Sequence, residues 1–453
     1  MLALLMSFVG LAGEELRPLV HFTAPKGWIN DPNGLVYRNG EYHLFYQHNP
    51  ESTRDGNKNW GHATSRDLIH WTDHGDAIKP DELGDIWSGS AVIDEANTAG
   101  FGKGAQICIY TAAGGVSERS RGKDFTQCLA YSMDGRHFTK YSGNPVLKQQ
   151  AHENRDPKVI RAFDSWVMAL WLRSSTYGLF RSYDMKHWTK AGEVDMPGTD
   201  ECPDFYAIDI SLTPPKGAQG GFEGNPTRWV FSGANGNYRV GNFDGSHFLP
   251  VTPVIRSHFG NTAYAGQTFS NIPHPMPGRL GRRISIEWMN GSEFPGCAWN
   301  QQMTFPNELT LVQMPEGPRL AYAPVREIEK IRGRAVRGKS GSFGVGNGVF
   351  EAALRYKLPA SGSVTLEANG IEVRFNRSSG VLSALGQEAK LDLRSGEFSL
   401  RMVADKASLE LYAQDGLTWM PLFKLPTAGA FKGLRERFEG DWEGKTSVWP
   451  LRP

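Results

Sequence analysis

A short pattern, Ser/Asn-x-Asp-x-x-His-Trp/Phe, recurs four times: 65-SRDLIHW-71, 132-SMDGRHF-138, 182-SYDMKHW-188 and 242-NFDGSHF-248. Its Asp residues are 67, 50 and 60 positions apart. A repeat of that length, in which each unit carries several short strands, is the signature of propeller blades. The flanking sequence agrees. Each motif follows a strand-like run (NWGHATS, QCLAYS, YGLFRS, YRVGN), and before these lie YHLFYQH, QICIYTA, WVMALWL and RWVFSG. A fifth such run, RRISIEWM, has no motif after it. Each unit opens on one further strand candidate: GLVYRNG, SAVIDEA, KVIRAF, FYAIDIS and TFSNIP. Five units of about four short strands predict an all-β chain whose first part, residues 20–324, is a five-bladed β-propeller. The repeated Asp and His are read as turn-formers and the aromatic as packing between blades.

After residue 324 the pattern changes. Residues 325–340, VREIEKIRGRAVRGKS, are strongly charged and read as a linker. Residues 341–453 hold longer runs of period-2 alternation, such as SVTLEANGIEVRFN and FSLRMVADKASLELYAQDG, which predict an antiparallel β-sandwich. The formal charge of +1, from 49 basic and 48 acidic residues with no basic stripe, argues against a nucleic-acid partner. Four Cys without a CxxC pair argue against a zinc site of the usual spacing. Cys108 and Cys128 lie in consecutive strand candidates and are read either as a cross-hairpin disulfide or as two buried thiols. Residues 1–19 are read as a signal peptide or an N-terminal extension: residues 2–12 are apolar and then small, and no basic n-region precedes them. That reading favours a secreted or periplasmic protein, with a cytoplasmic one as the alternative. No other run reaches the ~18 apolar residues of a membrane span.

The first strands of propeller blades line a central channel, and their starts converge at one mouth. The residues just ahead of them are WIND (28–31), IWSGS (86–90), NRDPK (154–158), DECPD (200–204) and AYAGQTF (263–269). Asp31, Asp156 and Glu201 thus hold equivalent places in three units, although Asp31 alone, in WINDPNG, reads as the corner of a tight turn. Three carboxylates in one funnel repel one another and need partners or a task. Arg155, Asn30, Gln47, Ser88, Ser90, Tyr264 and Gln267 are the candidate polar partners, with Trp28, Trp60, Trp87, Trp288 and Trp299 as candidate walls. Carboxylates, amides and flat apolar faces suit a sugar. Retaining glycoside cleavage needs a carboxylate nucleophile and a carboxylic acid/base. The acid must keep its proton near neutral pH, and crowding by other carboxylates acts in that direction.

The block 21-HFTAPKGWINDPNGLVYRNGEYHLFYQHNP-50 resembles the opening of glycoside hydrolase family 32, the invertases, inulinases, levanases and fructan exohydrolases. The likeness continues through 59-NWGHATSRDLIHW-71, 87-WSGS-90, 155-RDPK-158, 201-ECPDFY-206 and 264-YAGQTF-269, and is weakest after residue 325. The resemblance implies a five-bladed propeller followed by a β-sandwich, and no metal or organic cofactor. It implies Asp31 as nucleophile, Asp156 as transition-state stabiliser and Glu201 as general acid/base, with Asn30, Gln47, Trp60, Ser90 and Arg155 holding a terminal fructose. Ile29, where the family commonly has Met, Asn307, where a Pro-Arg pair is usual, and the segment 290–302 depart from the pattern. They leave the acids intact and bear on the outer subsites.

The expected activity is exo-hydrolysis of β-fructofuranosyl units from fructan or sucrose, by a monomer or homodimer. The competing readings are an inverting arabinanase- or xylosidase-type propeller, a transfructosylase, and a sugar-binding protein without catalysis.

Overall fold

The computed structural model describes residues 13–211, 227–276, 279–338 and 341–453. Most of the expected signal peptide, residues 1–12, lies outside the described residues, as do residues 339–340 of the charged segment. The chain is almost entirely β-structure. Five antiparallel sheets follow one another along it. The first comprises β1 (Gly27–Arg38), β2 (Glu41–Asn49), β3 (Asn59–Ser65) and β4 (Thr72–Ile78), and the second β5 (Asp85–Asp94), β6 (Ala105–Ala113), β7 (Phe125–Ser132) and β8 (Thr139–Lys140). The third comprises β9 (Arg155–Ala162), β10 (Ser165–Arg173), β11 (Thr176–Ser182) and β12 (Thr189–Asp195), and the fourth β13 (Asp204–Asp209), β14 (Thr227–Ser232), β15 (Tyr238–Phe243) and β16 (Phe248–Pro250). In the fifth, β17 (Tyr264–Thr268), β18 (Arg283–Trp288), β20 (Asn307–Met314) and β21 (Gly317–Pro324) are interrupted by β19 (Trp299–Asn300), which leaves to pair in parallel with β1.

The sheets form a β-propeller. The first strand of each touches the first strand of the next, in the order β1, β5, β9, β13, β17 and back to β1. Tyr37 and Ser270 close the seam by backbone bonds, Tyr37 N to Ser270 O at 3.0 Å and Ser270 N to Leu35 O at 2.9 Å. Position in the ring sets burial. The inner β5 is buried almost throughout, because neighbouring sheets cover both its faces, whereas the outer β12 is largely open to solvent.

The repeated motif forms the turn between the third and fourth strands of four sheets. In each, the Asp Oδ1 accepts two backbone N–H groups and the His Nδ1 meets Oδ2. For Asp67 these partners are Ile69 N at 3.0 Å, His70 N at 2.9 Å and His70 Nδ1 at 2.7 Å. Asp134, Asp184 and Asp244 repeat the arrangement. Phe138, from the second sheet, packs edge-on against Phe45 of the first.

The expectations for the inner strands are corrected here. WINDPNG is not a tight turn. It lies within β1, whose pairing with β2 slips between Ile29 and Pro32 and again between Asn33 and Val36. Bulges of this kind tolerate a proline without N–H and bend the strand. Gly34, at φ +54°, completes the bend, and a Cβ there would meet the Phe45 ring at 2.7 Å. Likewise IWSGS, RDPK and YAGQT lie inside the inner strands rather than ahead of them, and TFSNIP follows the fifth inner strand instead of forming it. Of the two readings of Cys108 and Cys128, the structure shows the buried thiols: all four cysteines are free. Cys108 faces Ala130 and Cys128 faces Tyr110, so the two thiols are offset by two residues across the ladder. A disulfide needs closer Cα atoms than that diagonal provides.

Residues Arg326–Ile331 form a 3-10 turn that buries Ile328 and Ile331. Two further sheets follow as a β-sandwich, one of six strands and one of five, with Phe350–Lys357, Glu397–Ala404 and Ser408–Ala413 at the heart of the second. A single apolar core runs from Val20 and Phe22 through Tyr206 and Val325 to Val403, Trp419 and Leu451, joining propeller to sandwich. A buried polar clasp crosses the same boundary. Asp405 accepts the backbone N–H groups of Leu19, Val20 and His21 and meets His21 Nδ1 at 2.9 Å, while Glu410 meets His21 Nε2 at 3.1 Å. No helix among the described residues is long and apolar enough to cross a membrane.

Candidate active site

The bulged β1 aims Asp31 inward. Asn33 holds the bulge: its Nδ2 donates to Asp31 O at 3.1 Å and its Oδ1 accepts Gly89 N at 3.1 Å. The Asp31 carboxylate accepts Ser88 Oγ at 2.5 Å and Gln47 Nε2 at 3.5 Å on one oxygen, and Asn30 Nδ2 at 3.1 Å on the other. Asp156 is the second residue of β9 and is held at φ +65°, its N–H donating to Thr111 Oγ1 at 2.9 Å. Glu201 and Cys202, just before β13, also have positive φ, at +45° and +34°. Non-glycine residues in this left-handed region concentrate where the fold over-determines the backbone, often at functional sites.

These three backbone distortions bring the acids together. Cys202 N donates to Asp156 Oδ2 at 3.0 Å, and the Cys202 thiol lies 3.4 Å from Asp156 Oδ2 and 3.6 Å from Asp31 Oδ2. Arg155 pairs with Glu201 Oε1, with its Nε 3.9 Å from Asp156, and its guanidinium stacks 4.1 Å over Trp171. Tyr264 OH donates to Glu201 Oε2 at 2.8 Å and approaches Asp200 at 3.4 Å. Burial, followed by the Glu201 charge, pushes the Tyr264 phenol up, so it serves as a donor.

A cavity of about 260 Å³ opens over the acids. Trp28, Asn30, Asp31, Gln47, Asp55, Lys58, Trp87, Arg155, Asp156, Glu201, Cys202, Tyr264 and Trp288 make its wall. Of the expected site residues, Asn30, Asp31, Gln47, Trp87, Arg155, Asp156, Glu201, Tyr264 and Trp288 therefore meet there. Four do not reach the wall. Trp60 is 0 % exposed and fills the space between the first two sheets, its indole N–H donating to Trp87 O at 3.0 Å. Trp299 is 0 % exposed, packed on Phe294 with Arg17 4.8 Å above it. Ser90 ties β5 to β9 through Pro157 O and Val159 N. Ser88 sits behind Asp31 as its hydrogen-bond donor. Gln267, a further polar candidate, is buried with its amide on Gly89 O at 3.0 Å. Strand periodicity names polar and aromatic residues without saying which face they take. Sequence reasoning missed Lys58 and Asp55, which sit in an irregular connection between β2 and β3 with no motif to mark them. It also missed Thr111 and Trp171, whose partners come from other strands, and Asn33, which bridges its own strand to Gly89 of β5.

A larger cavity, about 430 Å³, is lined by the later residues of β5, β9, β13 and β17 and holds none of the three acids. Among the described residues no group of three or more His, Cys, Asp or Glu is placed to hold a metal ion.

Burial, with Glu201 and Asp31 adding and Arg155 opposing, pushes the Asp156 carboxyl up to about 7. Its ordinary value is 3.8, so the native state binds more protons than the unfolded chain between about pH 4 and 7. Stability from this residue is complete below that window and falls as pH rises through it. Asp156→Asn is therefore expected to raise stability at pH 7 by roughly 1–4 kcal/mol and to flatten the slope between pH 4 and 7. Urea unfolding of both proteins at pH 4.5 and 7 measures this. An Asn variant with the wild-type slope contradicts the assignment.

The sequence comparisons agree with this architecture. Residues 21–324 match the model of the glycosyl hydrolases family 32 N-terminal domain. A levanase of Bacillus subtilis (strain 168) is 33% identical over 478 residues, covering 93% of this chain and 68% of the levanase. An extracellular exo-inulinase of Meyerozyma guilliermondii is 34% identical over 67% of this chain and 61% of its own length. A levanase of Bacillus sp. (strain L7) is spanned over only 48% of its length. Among solved structures, the exo-inulinase of Aspergillus awamori superposes with a TM-score of 0.83 at 23% identity, covering 96% of this chain and 98% of that one. The fructofuranosidase of Schwanniomyces occidentalis, complexed with fructose, does so at 0.80 and 26% identity, covering 97% and 99%.

Proposed function

The chain belongs to glycoside hydrolase family 32, and from that membership we propose that it is an exo-acting, retaining β-fructosidase that removes terminal fructose from levan, inulin or sucrose. The observation that carries the reading is the meeting of Asp31, Asp156 and Glu201, from three different sheets, in one cavity walled by Trp28, Trp87 and Trp288. Relatives described as levanase, exo-inulinase and invertase support the substrate class.

In this mechanism Asp31 attacks the anomeric carbon of a fructofuranosyl unit. Its carboxylate is held by three hydrogen-bond donors and needs no reorientation. Glu201 protonates the departing oxygen, and Tyr264 and Arg155 hold its carboxyl in place. Water then enters, Glu201 takes its proton, and the fructosyl–Asp31 ester is cleaved with net retention. Asp156 accepts hydrogen bonds from fructose hydroxyls and faces the positive charge that grows on the ring. The apolar faces of Trp28 and Trp288, edge-on at 6.3 Å, offer stacking surfaces for sugar C–H groups. We place the enzyme outside the cytoplasm, in line with the extracellular exo-inulinase to which it is similar.

Product analysis on inulin, levan and sucrose tests the reading. Free fructose is expected from the first minutes, and methanol as acceptor should give the methyl β-fructofuranoside, read by NMR. Long oligosaccharides without early fructose overturn exo action, and the α-anomer overturns retention. Glu201→Ala is expected to lose about 10²–10⁴ in kcat on sucrose, and azide is expected to restore turnover only on an activated aryl β-fructofuranoside, whose leaving group departs without a proton from Glu201. Near-normal turnover in that variant removes Glu201 from the acid/base role.

A further inference from the structure

Lys58 has no place in the scheme above, yet its ammonium lies in the cavity wall with the side chain only 13% exposed. It donates to Asn30 Oδ1 at 3.1 Å and pairs with Asp55 at 2.5 Å, 5.9 Å from the Trp87 ring. An ammonium donates and never accepts, and the same holds for an indole N–H. Trp28 Nε1 also points at Asn30 Oδ1, at 3.3 Å. The Asn30 atom facing these two groups must therefore be the carbonyl oxygen.

That choice propagates. With its oxygen engaged, Asn30 turns its NH2 to Asp31 Oδ1 at 3.1 Å and to Gln47 Oε1 at 2.7 Å. Gln47, its oxygen now taken, turns its own NH2 to Ser88 Oγ and toward Asp31 Oδ2 at 3.5 Å. Ser88, accepting from Gln47, sends its proton to Asp31 Oδ2 at 2.5 Å. Every bond in the chain runs from Lys58 toward the Asp31 carboxylate. With Asn30 flipped, a carbonyl oxygen would face that carboxylate and the relay would reverse, leaving Asp31 with acceptors against an acceptor.

We propose that Lys58 is a positioning residue for the nucleophile: with Trp28 Nε1 it fixes the amide orientation of Asn30, and through Gln47 and Ser88 the direction of every hydrogen bond that aims Asp31. This rests on the β-fructosidase reading. Lys58 touches no reacting atom in this scheme, so its loss changes aim rather than ground-state binding, and kcat and kcat/KM fall together.

The test compares Lys58→Met, Lys58→Gln and Lys58→Arg on sucrose and on inulin, with melting temperatures recorded for each. Met and Gln are expected to lose at least tenfold in kcat with KM within about twofold of wild type. Gln is the sharper case, because it can itself accept and so leaves the Asn30 orientation to the longer Trp28 bond. Arg, a donor only, is expected to return kcat to within about threefold of wild type. Melting temperatures close to wild type are expected throughout. The proposal is overturned if Met and Gln keep full kcat, if Arg is as impaired as Met, or if the loss appears in KM alone. A wild-type protein that releases no fructose overturns the functional reading and this inference with it. An active wild type with an unimpaired Gln variant overturns the positioning role only.

Discussion

Asp31→Ala is expected to lower kcat on sucrose and inulin by three powers of ten or more, at least ~4 kcal/mol of barrier at ~1.4 kcal/mol per tenfold. In the proposed mechanism the covalent intermediate needs a carboxylate at this point, and no neighbour replaces it. Asp156 is engaged by Cys202 N and Glu201 by Arg155 and Tyr264. The fold should survive, because Asn30, Gln47 and Ser88 keep bonds to one another when Asp31 is gone. Asp31→Asn provides the near-isosteric control. Initial rates of fructose release, together with melting temperatures, decide the matter. Wild-type-like turnover from a folded Asp31→Ala protein would falsify the nucleophile assignment.

Asp405→Ala is expected to destabilise the protein by about 3–5 kcal/mol, the usual cost of removing one member of a buried ion pair. Asp405 and His21 are both fully enclosed, and Asp405 accepts from the backbone of Leu19, Val20 and His21 and from the imidazole. Its loss strands the N–H groups of Leu19, Val20, His21 and Lys406 and leaves the His21 ring with Glu410 and Ser408. Burial opposes the His21 charge, but hydrogen bonds to Asp405 and then Glu410 outweigh it and raise the group to about 9. A raised histidine contributes stability that is complete below its unfolded value near 6.5 and is lost as pH rises through about 9. Wild type should therefore lose stability between pH 7 and 9.5, and Asp405→Ala should lose less over that range. Urea unfolding at three pH values measures both effects. A variant within 1 kcal/mol of wild type would show that the clasp does not hold propeller to sandwich.

The two predictions separate what the propeller does from what keeps the sandwich on it. Asp31 sits at one mouth of the ring, and the His21 clasp lies in the contact between the propeller and the sandwich. Loss of one should leave the other intact.

Much of this was legible in the chain. The Asp-x-x-His turn announces itself because a carboxylate that caps two backbone N–H groups needs its neighbours at set offsets, and those offsets survive in sequence. Four of the sheets could be marked off for the same reason, and the fifth, which carries no motif, only by its strand run RRISIEWM. Asp31, Asp156 and Glu201 could be placed together because each stands near the start of an inner strand, and inner strands of successive sheets touch. The sandwich followed from alternation, since strands such as Ile371–Asn376 bury every second residue.

The rest was decided by packing. Inner strands are covered on both faces, so alternation no longer says which side chain faces the channel. Bulges in β1 then shift the register, and one residue of slip sends a side chain to the other face. For this reason Trp60 and Trp299, aromatic and close in sequence to the site, lie inside the core, and WINDPNG continues a strand rather than closing a turn. The repeat, and the place of Asp31, Asp156 and Glu201 within it, determined that a ring of sheets would gather three acids at one mouth. Only the tertiary structure decided which side chains hold those acids, because partners such as Ser88, Thr111, Cys202 and Tyr264 come from different strands and connections, and their meeting depends on how the ring closes.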